Sequence, residues 1–403
     1  MNDPKISLLS MEKCVIIPPS VPAWVYAISV HGGCCVFGGI PCGIVLYLIT
    51  KKKYSEKTKV FVGSFVAIVA AASVFVGRPI IESYSPNNEI TFIGPFLAST
   101  FGFTTFFKSL NVAFGTYPIG ADTDLQTWIH WFVMTPEPSF AKGKASKANR
   151  KEIIARTRDF FFKIIALFFL LTVMMQLSPP FYQVLPYEVN GGNNSFGGDT
   201  LDWFLAAHVN GFLHLWLLYS FASFCEDFST ITNYILSGGV RMEPGFCNPL
   251  LESRSFKETW GTRWNKPVNE LLKRTVYIPA CKSGFFNQNQ SAVLTFFASG
   301  LLHEYNFAMH NHRSLSLPSG YQPGEVTVFF LFMGILMIGE SWVWNKLYPR
   351  WLQSLISSLP SAVTATMLTF LVAALSERYF LRGWLQSGFV EAVAQMLPHL
   401  DCQ

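Results

Sequence analysis

A histidine and a glutamate stand side by side in an otherwise largely apolar run, "TFFASGLLHEYNFAMH" from Thr295 to His310. Histidine as a residue type changes protonation near neutral pH, so one at position 303 could take or give a proton during a reaction. Glu304 is the harder residue to bury. A full charge deep in a bilayer costs about 2.5–3.5 kcal/mol on insertion scales, so Glu304 must be neutral, paired or open to a wet cavity. Neighbours on a helix point about 100° apart, and the two side chains need not share a role. A hydrogen bond between helices, or the lining of a water-filled cavity, accounts for His303 as well as catalysis does.

Metal chemistry is not supported. "HEYNF" fails the H-E-x-x-H zinc pattern because position 307 is Phe. His303 and His310 share a helix face, but two ligands do not define a site. His208, His214 and His312 build no dense histidine box. There is no G-x-x-x-x-G-K-[ST] phosphate loop, no G-x-G-x-x-G, no G-x-S-x-G elbow, and no histidine followed four residues later by aspartate. The eight cysteines (Cys14, Cys34, Cys35, Cys42, Cys225, Cys247, Cys281 and Cys402) form no C-x-x-C pair. They read as small buried apolar residues.

Upstream lies a polar, Trp-bearing stretch, "SFKETWGTRWNKPVNELLKRTVY" (Ser255–Tyr277). It reads as an amphipathic helix interrupted at Pro267, with Trp260 and Trp264 four apart on one face. An amide such as Asn265 can stabilise an oxyanion, and a guanidinium such as Arg263 can hold phosphates. A base within a span, with these groups on the cytosolic side, fits acyl transfer. His303 would take the proton of a lipid-dissolved hydroxyl as it attacks a thioester whose charged donor stays in the cytosol.

The elements that must hold such groups are membrane helices. Half of the 403 residues are hydrophobic and only 14% are charged, against about a quarter in soluble domains. The expected fold is therefore all-α, a polytopic integral membrane bundle of one domain (residues 1–403). Spans of about 20 apolar residues fall near Pro22–Ile49, Val60–Gly77, Ile90–Phe107, Phe160–Leu177, Leu201–Phe224, Ser291–Met309, Val326–Trp344 and Ser361–Leu375. That is about eight transmembrane helices, give or take two, with added interfacial amphipathic helices. "TWIHWFVM" (Thr127–Met134) is too short to span, and its tryptophans suit the headgroup level.

Basic stretches at Lys51–Lys59 and Lys142–Arg158 belong in the cytosol. The loop Ser178–Thr200, free of Lys and Arg, is then lumenal, and it carries a weak glycosylation pattern at Asn193. The same scheme puts the segment 225–290 in the cytosol and the histidine-bearing span at 291–310. The N-terminus lacks the h-region of a cleaved signal. No Lys/Arg block sits among stacking aromatics, so nucleic acid is not an expected partner. The expected membrane is the endoplasmic reticulum; the sequence does not set the oligomeric state.

At these residues the chain resembles a known family. "TWGTRWN" (Thr259–Asn265) is similar to the F-W-G-R-R-W-N/H motif of the wax synthase-like branch of membrane-bound O-acyltransferases, and "ASGLLHEYNF" (Ala298–Phe307) to its S-G-L-x-H-E motif. Order and separation match too. The resemblance implies that His303 is catalytic and Asn265 supports it, with Trp260, Arg263, Trp264 and Glu304 near donor or acceptor. It implies acyl-CoA as co-substrate, a hydrophobic alcohol as acceptor, and no bound cofactor. Thr259 stands where the family has Phe, and Thr262 where it has the first Arg. These departures look more like fungal enzymes that acetylate terpenoid or meroterpenoid intermediates from acetyl-CoA than like plant wax synthases. A long-chain acyl-CoA:fatty alcohol wax ester synthase is the alternative. A reading of another class is a transporter whose path is lined by His208, His214, His303 and Glu304, but no internal repeat supports it.

Overall fold

The computed structural model describes residues 14–52, 54–83, 92–176, 200–311, 322–346, 349–386 and 388–402. Four helices among them are long and apolar enough to cross a membrane: α1 (Val21–Lys51), α2 (Glu56–Ser83), α5 (Arg150–Gln176) and the first part of α9 (Glu325–Lys346). Their outer faces carry exposed Phe61, Phe65, Phe161 and Phe162. Large apolar side chains exposed along helices of this length belong against lipid rather than water. Three further helices have the length but a more polar composition: α3 (Ile93–Ala113), α6 (Thr200–Leu236) and α8 (Gln288–Asn311). Each buries polar side chains: Lys108 on α3, Asn210 and His214 on α6, Ser299 and Asn306 on α8. A bundle interior tolerates these where lipid does not. The apolar helix α10 (Ser361–Ser376) is shorter, at 16 residues.

The helices pack in pairs, α2 on α3, α5 on α6 and α8 on α9. The two ends of the chain meet. The strand Cys14–Ile17 pairs antiparallel with His399–Cys402, which places Cys14 opposite Cys402 in the register. The two paired segments therefore lie on one side of any membrane the chain crosses. Cys14 is disulfide-bonded. This corrects the expectation that every cysteine is an apolar filler, which fails for Cys14 because strand pairing joins residues far apart in sequence. Cys34, Cys35, Cys42, Cys225, Cys247 and Cys281 are free thiols.

Two other expectations change. The short Trp-bearing stretch does form a helix, α4 (Leu125–Val133), but Trp128 and Trp131 are both fully buried instead of resting among headgroups. Trp128 donates its indole N–H to the Gly43 carbonyl at 2.8 Å. The fully buried Lys108 ammonium donates to the carbonyls of Trp131 and Met134 at the end of α4. A buried cation on the last carbonyls of a helix satisfies groups that the helix cannot pair by itself.

The stretch Ser255–Tyr277 is not one amphipathic helix. It comprises a single turn at Phe256–Glu258, a π turn at Thr259–Arg263, the helix α7 (Lys266–Leu272) and a second π turn at Lys273–Tyr277. The break falls at Trp264–Asn265, and Pro267 sits in the first turn of α7, where its missing N–H is harmless. Glycosylation at Asn193 lies outside the described residues, as does His312.

α6 also runs on to Leu236, beyond the expected end of its span. Its last turns anchor neighbouring segments. Glu226 accepts from the N–H groups of Gly245 (2.6 Å) and Phe246 (3.1 Å). Asp227 is fully buried and ion-paired with Arg156 and Lys163 of α5. Elsewhere, Arg274 grips both oxygens of Glu137 at 2.9 and 2.8 Å. Paired and hydrogen-bonded charges of this kind hold a single geometry, and removing one partner leaves the other buried and uncompensated.

Candidate active site

His303 sits on α8 with its ring stacked on Phe330 of α9, centroids 4.4 Å apart and 22° between planes. Phe380, from the π turn Glu377–Leu381, meets it edge-on at 5.2 Å. The ring is held from two sides, and its Nδ1 lies 2.7 Å from the Ser299 carbonyl one turn back. A carbonyl only accepts, so Nδ1 carries the proton and donates. The tautomer is thereby fixed, with Nε2 left bare. Nε2 has no hydrogen-bond partner among the described residues.

Glu304 has a structural job. Its Oε1 accepts from the N–H groups of Gly324 (3.0 Å), Val326 (3.1 Å) and Thr327 (3.2 Å) at the start of α9. The first N–H groups of a helix have no partner within it, and the dipole there favours a carboxylate. Glu304 therefore ties α9 to the residue beside His303. Truncation to alanine strands these N–H groups, at about 1–3 kcal/mol. We expect Glu304→Ala to lower the thermal midpoint in detergent and to reduce activity through loss of folded protein, with Glu304→Gln retaining most of both.

α9 also anchors the upstream motif. Near its far end, Glu340 accepts from the N–H groups of Phe256 (3.0 Å) and Lys257 (3.3 Å). The Ser255 hydroxyl caps the same turn by accepting from Glu258 N–H. The next turn, the π turn Thr259–Arg263, delivers Trp260 to the ring pair of the site. Trp260 packs on Phe330 at 6.0 Å, Phe296 of α8 at 6.3 Å and Trp264 at 5.9 Å. Phe330 thus touches both His303 and Trp260, and through it the two motifs meet. Trp264 continues the aromatic row to Tyr219 of α6 and to Phe246.

Asn265 adopts the left-handed conformation, φ 43° and ψ 57°, as the residue before α7. Asparagine tolerates that region better than most residues. Its side chain makes no capping bond to α7, so the carboxamide is not consumed by the helix it starts.

Arg263 is otherwise engaged. It binds Glu258 at 2.8 Å, Glu252 at 2.6 Å and the Cys247 carbonyl at 2.8 Å. Burial pushes the Glu258 carboxyl up, but hydrogen bonds from Arg254 N–H and Arg263 outweigh it and hold the group below the usual carboxylate range. Hydrogen bonds from Asn248 and Arg263 do the same for Glu252. The stabilisation is thus complete above the ordinary carboxylate pKa and fades as pH falls through the depressed values. Arg263 would have to leave these partners to hold a phosphate. Thr262, which takes the place of the motif's first arginine, is exposed and bonds back to the Glu258 carbonyl. Thr259 bonds back to the Ser255 carbonyl.

Phe330, Phe380 and Glu340 escape a reading of the sequence. Phenylalanine is the most frequent aromatic residue here, so its presence marks nothing. Glu340 does carry a signal, being an acid close to the end of an apolar span.

Residues 140–310, which contain both motifs, match the MBOAT, membrane-bound O-acyltransferase family. The chain is 29% identical over 161 residues to "Probable long-chain-alcohol O-fatty-acyltransferase 3" of Arabidopsis thaliana, taking in 39% of this chain and 44% of that relative. It is 37% identical over 73 residues to "Acyl-CoA--sterol O-acyltransferase 1" of the same plant, or 17% of this chain and 21% of that relative. The matches span less than half the length of these curated relatives, and they fall in a chain whose matched stretch carries the sequence pattern of the membrane-bound O-acyltransferase family.

Proposed function

We propose that the protein is an integral membrane acyl-CoA-dependent O-acyltransferase. The observation that carries this is the fixed tautomer of His303, with Nδ1–H given to Ser299 and Nε2 bare between two aromatic rings. Nε2 takes the proton of the acceptor hydroxyl as its oxygen bonds to the thioester carbon. The tetrahedral oxyanion collapses, the carbon–sulfur bond breaks, and the imidazolium returns the proton to the leaving thiolate. Trp260 Nε1 is buried without a partner among the described residues and suits the acyl carbonyl. Asn265 supplies the second donor to the oxyanion.

The curated relatives are named for long-chain alcohols and sterols, which favours a hydrophobic alcohol as acceptor and a long-chain acyl donor. The departures at Thr259 and Thr262 favour the acetyl-CoA-dependent terpenoid or meroterpenoid reading. The membrane is proposed to be the endoplasmic reticulum. Purified protein in nanodiscs, given labelled acetyl-CoA or palmitoyl-CoA with a fatty alcohol, a sterol and a terpenoid alcohol, tests both levels. Ester formation from either donor is expected, and thiol release in the absence of any ester sinks the proposal. Asn265→Gly keeps the left-handed backbone while removing the carboxamide, and is expected to lower kcat by about 10²-fold. Near-normal turnover in that variant would remove Asn265 from the mechanism.

A further inference from the structure

Around α8 the interior is divided by face. Gly300 and Glu304 turn towards α9, where Gly300 lies against Thr327 and Glu304 holds the first N–H groups. Leu302 packs with Phe103 and Phe107 of α3, and Met309 with Ala98. Between these two faces, at i, i+4 and i+7, runs a stripe of Ser299, His303 and Asn306. Residues at this spacing share one side of a helix. All three are polar in a helix that is otherwise well packed with aromatic and aliphatic side chains. At Ser299 it is the backbone carbonyl, not the hydroxyl, that sets the His303 tautomer.

Asn306 is not explained by any described residue. It is 3% exposed, and its Oδ1 is buried with no hydrogen-bond partner among the described residues. An unpaired buried acceptor carries a desolvation penalty, and nothing in the packing of α8 requires an amide there. It lies one turn beyond His303, while Trp260 touches α8 at Phe296, two turns before it. The donor-side motif and Asn306 thus flank His303 from opposite directions along the helix. No described group reaches Oδ1, so a bound acceptor that carries a second hydrogen-bond donor on the His303 side of α8 can satisfy it. The reacting hydroxyl cannot serve, because its only hydrogen is the one Nε2 removes.

We propose that Asn306 determines acceptor specificity by accepting a hydrogen bond from a second hydroxyl adjacent to the one that reacts, so that the preferred substrates are diols. This rests on the acyltransferase reading of the same site. The second hydroxyl keeps its proton throughout. Only the first loses one, to His303, and that proton leaves on the thiol. A simple alcohol would bury methylene against Oδ1 and leave its penalty in place.

The test compares 1,2-hexadecanediol with 1-hexadecanol in nanodiscs, using wild-type protein and Asn306→Leu. Wild type is expected to favour the diol by about tenfold in kcat/KM, the upper part of the net contribution of one neutral hydrogen bond. Asn306→Leu is expected to erase that preference while its thermal midpoint stays level or rises, since an unpaired polar group has been removed. Asn306→Ser, smaller but still an acceptor, is expected to retain part of the preference. Equal use of both alcohols by wild type overturns the inference and leaves the acyltransferase reading intact. So does a lowered midpoint in Asn306→Leu with equal loss on both substrates, which marks a structural residue. Failure to form an ester from any acyl-CoA on either of these alcohols, on a sterol or on a terpenoid alcohol overturns both.

Discussion

His303→Gln is expected to lower kcat by about 10²- to 10⁴-fold, the usual contribution of a positioned general base, with kcat/KM falling in step. A loss expressed equally in both constants marks an interaction made in the transition state. Glutamine approximates the volume between Phe330 and Phe380 but offers no nitrogen that can take a proton. The variant should therefore fold, insert and elute like wild type, and its thermal midpoint checks this. His303→Ala should lose as much activity and also some stability, since it empties the place between the stacked Phe330 ring and the edge-on Phe380 ring. Aromatic contacts of this type contribute about 0.5–1.5 kcal/mol each. Turnover within a fewfold of wild type in the glutamine variant would remove His303 from proton transfer and leave it as a packing residue.

His303 is legible in the sequence, but the control of its proton is not. An ionisable residue in an apolar run is conspicuous, and the separation of the two motifs points to their meeting. The orienting partner cannot be seen, because it is the backbone carbonyl of Ser299, and every residue has a carbonyl. For Glu304 the sequence leaves three states open: paired, neutral or facing a cavity. Its partners include three N–H groups at the start of α9, again backbone groups that no side-chain pattern reveals. The upstream stretch misleads in the opposite direction. Its helical periodicity is real over short distances, which is why Trp260 and Trp264 do lie together. The two π turns and the left-handed Asn265 break it into pieces that propensity alone would join. For α4, the preference of tryptophan for the headgroup level points to the interface. Tertiary packing overrides that preference, with α1 supplying the carbonyl that binds Trp128.

The site depends on α9 more than on any motif. Glu304 holds its beginning, Glu340 near its other end holds the segment leading to Trp260, and Phe330 between them touches both His303 and Trp260. A displacement of α9 relative to α8 therefore disturbs His303, the proposed base, and Trp260, on the proposed donor side, together. Where the two helices touch, the tolerance is smallest at Gly300. A Cβ built there would stand 2.5 Å from the Thr327 Cα and 3.1 Å from its Cβ. The obstacle is backbone, so no rotamer change relieves it, and α9 must move. At Gly334 on α9 a Cβ would stand 3.0 Å from the Phe296 ring, a milder contact that still narrows the room for α9 to turn. Gly300→Ala is thus expected to lower stability by about 1–3 kcal/mol, the range for overpacking a filled interior. It is also expected to lower kcat by about 10²-fold, because a shift of about 1 Å at a reacting group is enough for that loss. The two effects separate by experiment. Activity measured well below the thermal midpoint, on protein verified as folded, reports the displacement alone. Gly300→Ala with a lowered midpoint and full turnover would mean that the α8–α9 spacing does not position His303, and the weight placed on Phe330 would have to move elsewhere.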